Sequence, residues 1–471
     1  MAGSETKSGS KQFSEALDRI FTHRIWGFPV FFAFLWIMFA GTFRLGAYPM
    51  HWLETGVSFL SDVLSAAMPD SILKDLLIGG IISGIGGVIV FLPNILLLFF
   101  FISVMEDTGY MARAVYLMDK VMHRIGLHGR SFIPMIMGFG CNVPAILATR
   151  SIENRDSRLI TILINPFFSC SARLPVYVLL ISAFFPGHSG TMLFLIYLIG
   201  VALGVITALV LKRTLFRAEH TPYEKYLPPY RIPTVRKTLR SMWANGVSYL
   251  KKISGVILVA TIVIWALGYF PRNISYSVDY DGKIAGLKKA HEVALAQADA
   301  SDDGAIRSLS EEYDRSIRQL TLQRNAEMHE KSYIGRIGKW IEPALRPLGF
   351  DWKMGISLLT GISAKEIVVS TMGVLYQADA DPKGPSSSTL IDRLHSQVYT
   401  TGPRAGEKVF TPLVAFAFMV FILIYFPCIG TIATISKVSG SWRWGAFTVF
   451  YSTFLAWVMA LLIYQVGSLL V

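Results

Sequence analysis

The sequence predicts an all-α polytopic membrane protein of about seven or eight transmembrane helices. Two re-entrant or broken-helix elements interrupt it, and its two halves read as inverted repeats. Three observations carry this prediction. Of 471 residues, 53% are hydrophobic and only 16% charged, against about 25% charged in soluble domains. Leu76 to Met105 runs without one ionisable side chain, and ~20 apolar residues suffice to cross the hydrocarbon core. Proline and glycine also cluster inside apolar segments, where a plain span would not place them.

The elements follow in order. Residues 1–24 are polar and charged, without the apolar stretch of a secretory signal. They read as a cytoplasmic lead-in with an amphipathic helix. Residues 25–270 form a first membrane half. Within it, Ile25–Phe43 is a span, His51–Met68 a surface helix, and Leu76–Met105 a span interrupted at Pro93-Asn94. Leu159–Phe185 and Thr191–Leu211 also span. Lys212 to Lys252 carries ten Lys/Arg against two Glu, which places it in the cytoplasm, and counting back puts the N-terminus there too. Ile253–Phe270 crosses outward. Residues 271–350 are a polar, extracytoplasmic helical insertion. Residues 351–471 form the second half, with a broken element over 354–376, a soluble loop over 377–409, a broken span over 410–435 and a last span from Trp444.

Ser131 to Thr149 holds Pro134, Gly138, Gly140 and Pro144. Basic residues flank it on both sides: Arg113, Lys120, Arg124 and Arg130 before, Arg150, Arg155 and Arg158 after. Both ends therefore favour the cytoplasm, and the segment reads as a hairpin with its tip near Gly140-Cys141-Asn142. The pattern recurs. Gly361 to Glu366 interrupts an apolar stretch as Gly138 to Asn142 does, and each is followed by a Pro–Cys cluster, Pro166 to Cys170 and Pro427-Cys428. The 354–376 segment reads as re-entrant from outside; a full crossing would instead end the chain inside. Irregular backbone at such depth survives only where protein or a watery cavity satisfies it, which is how transporter sites are built.

All three cysteines, Cys141, Cys170 and Cys428, lie at these breaks. Sulfur ligands suit soft or borderline metals, and carboxylate or imidazole can complete a site. Glu366 is a charge inside an apolar segment, costing roughly 2.5–3.5 kcal/mol at a helix centre on insertion scales, so such residues face a pathway or a partner. Asn142 and Asn165 offer amide oxygens. Glu106 has two readings, a mouth residue or a solvated helix-end charge. Met105, Met135 and Met137 are either thioether ligands or core filler. No phosphate loop, zincin helix or hydrolase elbow is present, so the chain itself is not read as an enzyme. The excess of +12 fits cytoplasmic loops and, without an aromatic-interleaved basic patch, excludes nucleic acid as a partner.

Six stretches carry a resemblance: ALDRIFTHRIWGFPVFF, FISVMEDTGYMARAVYLMD, FIPMIMGFGCNVPAILATRSIENRDSR, LINPFFSCSARLPVY, GISAKEIVV and YFPCIGTIATI. In this order they resemble the membrane domain of FeoB-type ferrous-iron transporters, from about Ala16 to the end. The broken segments are similar to the Gate motifs of that family, shared more loosely with nucleoside carriers. The resemblance implies Fe2+ as transported substrate in a bacterial inner membrane, with Cys141, Cys170, Cys428, Glu366 and Glu106 on the pathway. Asn142 joins them as a candidate metal ligand. It implies no permanently bound cofactor. GTP and Mg2+ are expected only through the family's G-protein domain, supplied in cis or in trans, because this chain begins where that domain ends. A small FeoA-like protein, lipid and a homo-oligomer are the other expected partners. Two alternatives stay open, a nucleoside or small-solute carrier on the same scaffold and a non-transporting membrane partner of a G protein.

Overall fold

The computed structural model describes residues 18–19, 21–23, 26–69, 71–216, 230–231, 233–271, 275–297, 303–376, 388–399 and 406–470. Residues 1–17 of the lead-in, 217–229 of the basic loop and 377–387 of the later loop lie outside the described residues.

Helix α1, Gly27–Ala67, has 41 residues and is about 60 Å long at 1.5 Å per residue. The expected division into a span and a separate surface helix from His51 is therefore incorrect. Arg44 can snorkel, and Pro49 removes one main-chain donor without stopping the helix. A single turn and a π-helical stretch, Leu76–Ile82, lead into α2, Ser83–Asp107, which runs straight through Pro93. The expected break at Pro93-Asn94 is likewise incorrect. Proline is tolerated in membrane helices where the surroundings accommodate it. Beside Pro93, Asn94 Nδ2 donates to Met50 Sδ on α1 at 2.9 Å, while Gly46 lets the Asn94 amide oxygen lie against its Cα, so the two helices are tied where the proline sits. Small residues at α1 and α2 allow this approach.

Gly109, with φ of 77°, turns the chain into α3, Tyr110–Arg124. Next come α4, Phe132–Gly140, and α5, Asn142–Ala148, separated by Cys141 in extended conformation. Helix α6, Arg155–Ile164, and α7, Leu174–Phe184, flank the irregular stretch 165–173. Helix α8 covers Ser189–Thr214 and α9 Val235–Tyr269; α9 starts well before the predicted span and takes in the end of the basic loop. The insertion contains α10, Tyr280–Gln297, α11, Asp303–Lys331, and α12, Tyr333–Leu345. Helices α13, Trp352–Thr360, and α14, Ile367–Leu375, surround a second break. Helix α15, Ser388–Ser396, lies in the predicted loop. Helices α16, Pro412–Ile424, and α17, Ile429–Ser439, flank the Tyr425–Cys428 break, and α18 spans Trp442–Leu470. Among the described residues, six stretches are long and apolar enough to cross a membrane. They are Gly27–Ala67, Ile72–Asp107, Arg155–Phe184, Pro186–Thr214, Pro412–Ser439 and Trp442–Leu469, and Gly255–Tyr269 is a shorter apolar helix.

The chain forms two compact units. One holds Met1–Ser171, Tyr197–Ile262 and Phe426–Ser452; the other holds Ala172–Ile196, Val263–Tyr425 and Thr453–Val471. The core of the first contains Phe31, Met38, Leu98, Met105, Tyr110 and Met118, so Met105 is filler. Arg113 is buried there and donates to Asp18 Oδ1 at 2.9 Å, which also accepts from the Tyr230 hydroxyl at 2.9 Å. In the second unit, Ile334, Ile356 and Leu375 share a core with Ile264, Leu267 and Trp352.

The insertion in the second unit is tied by one carboxylate. Glu327 accepts from the Ser277 amide at 2.7 Å, the Ser277 hydroxyl at 2.9 Å, the Tyr280 hydroxyl at 3.0 Å and Lys331 Nζ at 2.7 Å. Burial pushes its pKa up, but these donors outweigh burial and hold it at about 2. A depressed pKa stabilises the fold above the unfolded carboxylate value of about 4.3, and that contribution is lost as pH falls through the folded value. Hydrogen exchange across 275–331 is expected to quicken as pH is lowered from about 4 to about 2, after correction for intrinsic chemistry. Glu327→Gln is expected to flatten that dependence; an unchanged slope in the variant contradicts it.

Candidate functional site

Hydrogen bonds far apart in sequence define the two hairpins. Arg130 Nη1 donates to the Ser151 carbonyl at 3.2 Å and pairs with Glu153 at 2.8 Å. A straight helix would separate residues 130 and 151 by about 30 Å. The arms α4 and α5 therefore fold back on each other, and their ends meet. In the second unit, the Tyr376 hydroxyl donates to both carboxylate oxygens of Asp351, at 2.9 and 3.0 Å. Midway, Thr360 Oγ1 and Thr371 Oγ1 lie 2.9 Å apart, where a continuous helix would hold them about 16 Å apart. Helices α13 and α14 form the second hairpin. Asp351 also caps α13 by accepting from the Met354 amide at 2.8 Å.

The first tip is built to satisfy main chain freed by its own breakers. Cys141 is extended, with φ of −153° and ψ of 129°, so the helical ladder stops. Pro144 has no N–H for the Gly140 carbonyl, and the Ser171 hydroxyl donates to it instead, at 3.1 Å. With its amide oriented to suit its neighbours, Asn142 Nδ2 donates to the Gly138 carbonyl at 3.3 Å, Asn165 Oδ1 at 3.0 Å and the Asn165 carbonyl at 3.2 Å. Asn165 Nδ2 then donates to the Pro134 carbonyl at 2.9 Å. Gly138 is required by this approach, because a Cβ there would meet the Asn165 amide at 2.7 Å. The break after α6 is thus docked onto the tip of the hairpin.

Cys141 and Cys428 stand at equivalent places. Each is the N-cap residue of a helix, α5 and α17 respectively, and those two helices pack against each other in the first unit. Pro427 withholds a donor, and Phe426 before it is steered away from helix. Cys428 Sγ lies 3.3 Å from Thr431 Oγ1. Cys141 also packs against the apolar cluster of Ile95, Phe99 and Val143. Cys170 is one residue from the Ser171 that binds the first tip, and all three cysteines are partly exposed and outside any disulfide.

Glu366 lies in the second unit at the N-cap of α14, partly exposed and, among the described residues, in no ion pair. Its neighbour Lys365 turns away, with Nζ 3.3 Å from the centroid of the Tyr425 ring. Glu106 is exposed at the end of α2, while Asp107 beside it pairs with Lys237 at 2.6 Å. Met135 and Met137 are buried core residues. Among the described residues, no three His, Cys, Asp or Glu side chains converge to hold a metal ion. Sequence reasoning did not single out Ser171, Tyr425 or the Asp351–Tyr376 pair. Tyr425 carried one available signal, its place directly before Phe426-Pro427-Cys428.

Helical hairpins, interrupted spans and six long apolar helices define an all-α polytopic membrane protein of the Gate type. A family model described as "Gate: Nucleoside recognition" matches residues 88–184 and 250–442. Another, "Ferrous iron transport protein B C terminus", matches 193–245. The chain belongs to the FeoB family. It is 49% identical over 459 residues to the "Fe(2+) transport protein A/Fe(2+) transporter FeoB fusion protein" of Porphyromonas gingivalis, covering 98% of this chain and 52% of that protein. It is 35% identical to an Fe(2+) transporter FeoB of Staphylococcus aureus, covering 98% of this chain and 60% of the relative. For the Helicobacter pylori protein of the same name the figures are 34%, 99% and 68%. The chain thus spans between 52% and 68% of the length of these curated relatives. No solved structure matches it.

Proposed function

We propose that this chain is the membrane conduit through which Fe2+ crosses the bacterial inner membrane, its N-terminus in the cytoplasm. The reading rests above all on cysteines capping α5 and α17, two mutually packed helices that each begin at a break in an apolar segment. Sulfur from Cys141, Cys170 and Cys428, the Asn142 amide and the Glu366 carboxylate would replace water on the ion in turn, with Glu106 at a mouth. Borderline Fe2+ accepts such mixed ligands. A conduit also needs sites weak enough to leave, and partial sites suit that better than a closed cage. The names of the relatives support the cargo, and the P. gingivalis fusion supports a FeoA-like partner. Nucleotide hydrolysis is assigned to a G domain in cis or in trans, and the chain itself acts as conduit. The recurring order of hairpin and interrupted helix supports inverted repeats.

The Gate description favours a second reading, a nucleoside carrier. Anaerobic flux into proteoliposomes separates the two. Fe2+ is expected to enter, with the chain alone or with a G domain supplied, and radiolabelled uridine is not. Uridine flux without Fe2+ flux reverses the assignment.

A further inference from the structure

Lys365 is 2% exposed and Tyr425 0%. A buried ammonium inside an apolar segment is costly, and the face of an aromatic ring is one of few surroundings that offset the cost, the more so when desolvated. The ring is held in place from several sides. Its backbone amide bonds to the Phe421 carbonyl at 2.9 Å, the Phe421 ring packs at 5.6 Å, and Gly361 makes room for its hydroxyl, which a Cβ there would meet at 2.7 Å. Glu366 follows in the next position, its carboxylate engaged by its own backbone N–H and within the electrostatic reach of Lys365. The pair is therefore split, with the positive member drawn onto Tyr425 and the negative member left partly exposed.

We infer that Lys365 is an affinity-setting residue of the cation pathway, an internal positive charge that Tyr425 holds off Glu366 so that the carboxylate receives a metal cation but binds it weakly. This rests on the reading of Glu366 as an Fe2+ ligand. A positive charge within about 4–6 Å of a carboxylate lowers its pKa by about 1–3 units, which is weaker proton binding, and the same repulsion acts on any cation that takes the proton's place. Removing the ammonium tightens the site. Removing the ring lets the ammonium fall back onto Glu366 and compete with the metal.

The two effects have opposite signs, which a merely structural role for Lys365 does not give. Fe2+ affinity is measured by anaerobic titration of the full chain in detergent, with thermal unfolding as a check on folding. Lys365→Met is expected to bind Fe2+ about tenfold more tightly. Tyr425→Leu is expected to bind about tenfold more weakly, and Tyr425→Phe, which keeps the ring face, recovers most of that loss. The decisive variant is Tyr425→Leu with Lys365→Met. With no ammonium to fall back, it is expected to bind at least as tightly as wild type. Glu366→Gln is the reference, losing affinity in both the wild-type and Lys365→Met backgrounds. If Glu366→Gln weakens binding but Lys365→Met fails to tighten it, or the double variant stays as weak as Tyr425→Leu, this inference falls and the Fe2+ reading stands. If wild type binds no Fe2+, or Glu366→Gln leaves binding unchanged, both fall together. Should the Leu variants unfold, Lys365→Met alone decides, since a neutral side chain that does not tighten binding refutes the role.

Discussion

Replacing Asn165 with leucine is expected to destabilise the first unit by about 2–4 kcal/mol, read as a lowered midpoint in denaturant titration of the purified protein. The residue is 0% exposed, with two contacts made by its side chain and a third by its main chain. Its Nδ2 donates to the Pro134 carbonyl, its Oδ1 accepts from the Asn142 amide, and its main-chain oxygen accepts from that same amide. Leucine is of similar size, so cavity formation is minor and the loss is one of polar satisfaction. An ordinary interhelical hydrogen bond in a membrane is worth only ~0.6 kcal/mol, because the unfolded chain finds other partners. Here the buried Pro134 carbonyl loses its side-chain donor beside an already broken ladder, at about 1–3 kcal/mol, and the Asn142 amide loses one of its three acceptors, at about 1 kcal/mol more. The second effect therefore dominates. Asn142→Leu should lose less when Asn165 is already leucine than it does alone, a coupling of about 1 kcal/mol or more. Additive losses would show that the two amides do not act as one latch.

The hairpin ending at that latch was legible in the sequence, and the reason is electrostatic. A 19-residue apolar segment cannot both cross and keep Arg130 and Arg150 on one side, so basic flanks and inner breakers together required a reversal. The 354–376 element was read from recurrence of that pattern, Gly361 to Glu366 interrupting an apolar stretch as Gly138 to Asn142 does. Other features depended on partners far along the chain. Nothing local distinguishes Pro93, which the helix absorbs, from Pro166, which ends one; the difference lies in what packs alongside, Met50 and Gly46 against Asn94 in the first case. The first span was expected to end at Phe43, yet α1 continues through Arg44, because a long side chain at mid-helix can reach polar surroundings that sequence does not reveal. That Lys365 would turn to a ring 60 residues later, and Tyr376 to Asp351, was unreadable for the same reason. The cysteines were recognisable by their breaks, but the packing of α5 on α17, which gives Cys141 and Cys428 matching positions, needed the fold.

Those matching positions lead to the largest functional effect expected. The double change Cys141→Ser with Cys428→Ser should lower Fe2+ flux into proteoliposomes by about tenfold or more, while thermal stability stays within about 1 kcal/mol of wild type. Serine fits both places. Cys141 is an extended N-cap residue at the edge of an apolar cluster, and Cys428 caps α17 beside Thr431; serine is a favoured N-cap residue, so the helices should begin where they do now. What changes is donor softness. A thiolate holds borderline and soft cations where a hydroxyl holds hard ones, so the loss should be graded by metal. Cd2+ flux should fall most, Fe2+ next, and Mn2+ least, and the order is the informative part of the experiment. Equal losses for all three would mean that serine had narrowed the passage without removing a ligand. Undiminished Fe2+ and Cd2+ flux in a well-folded double variant would mean that the thiols are packing groups, and the conduit would then have to run over Glu366 and main-chain oxygens alone.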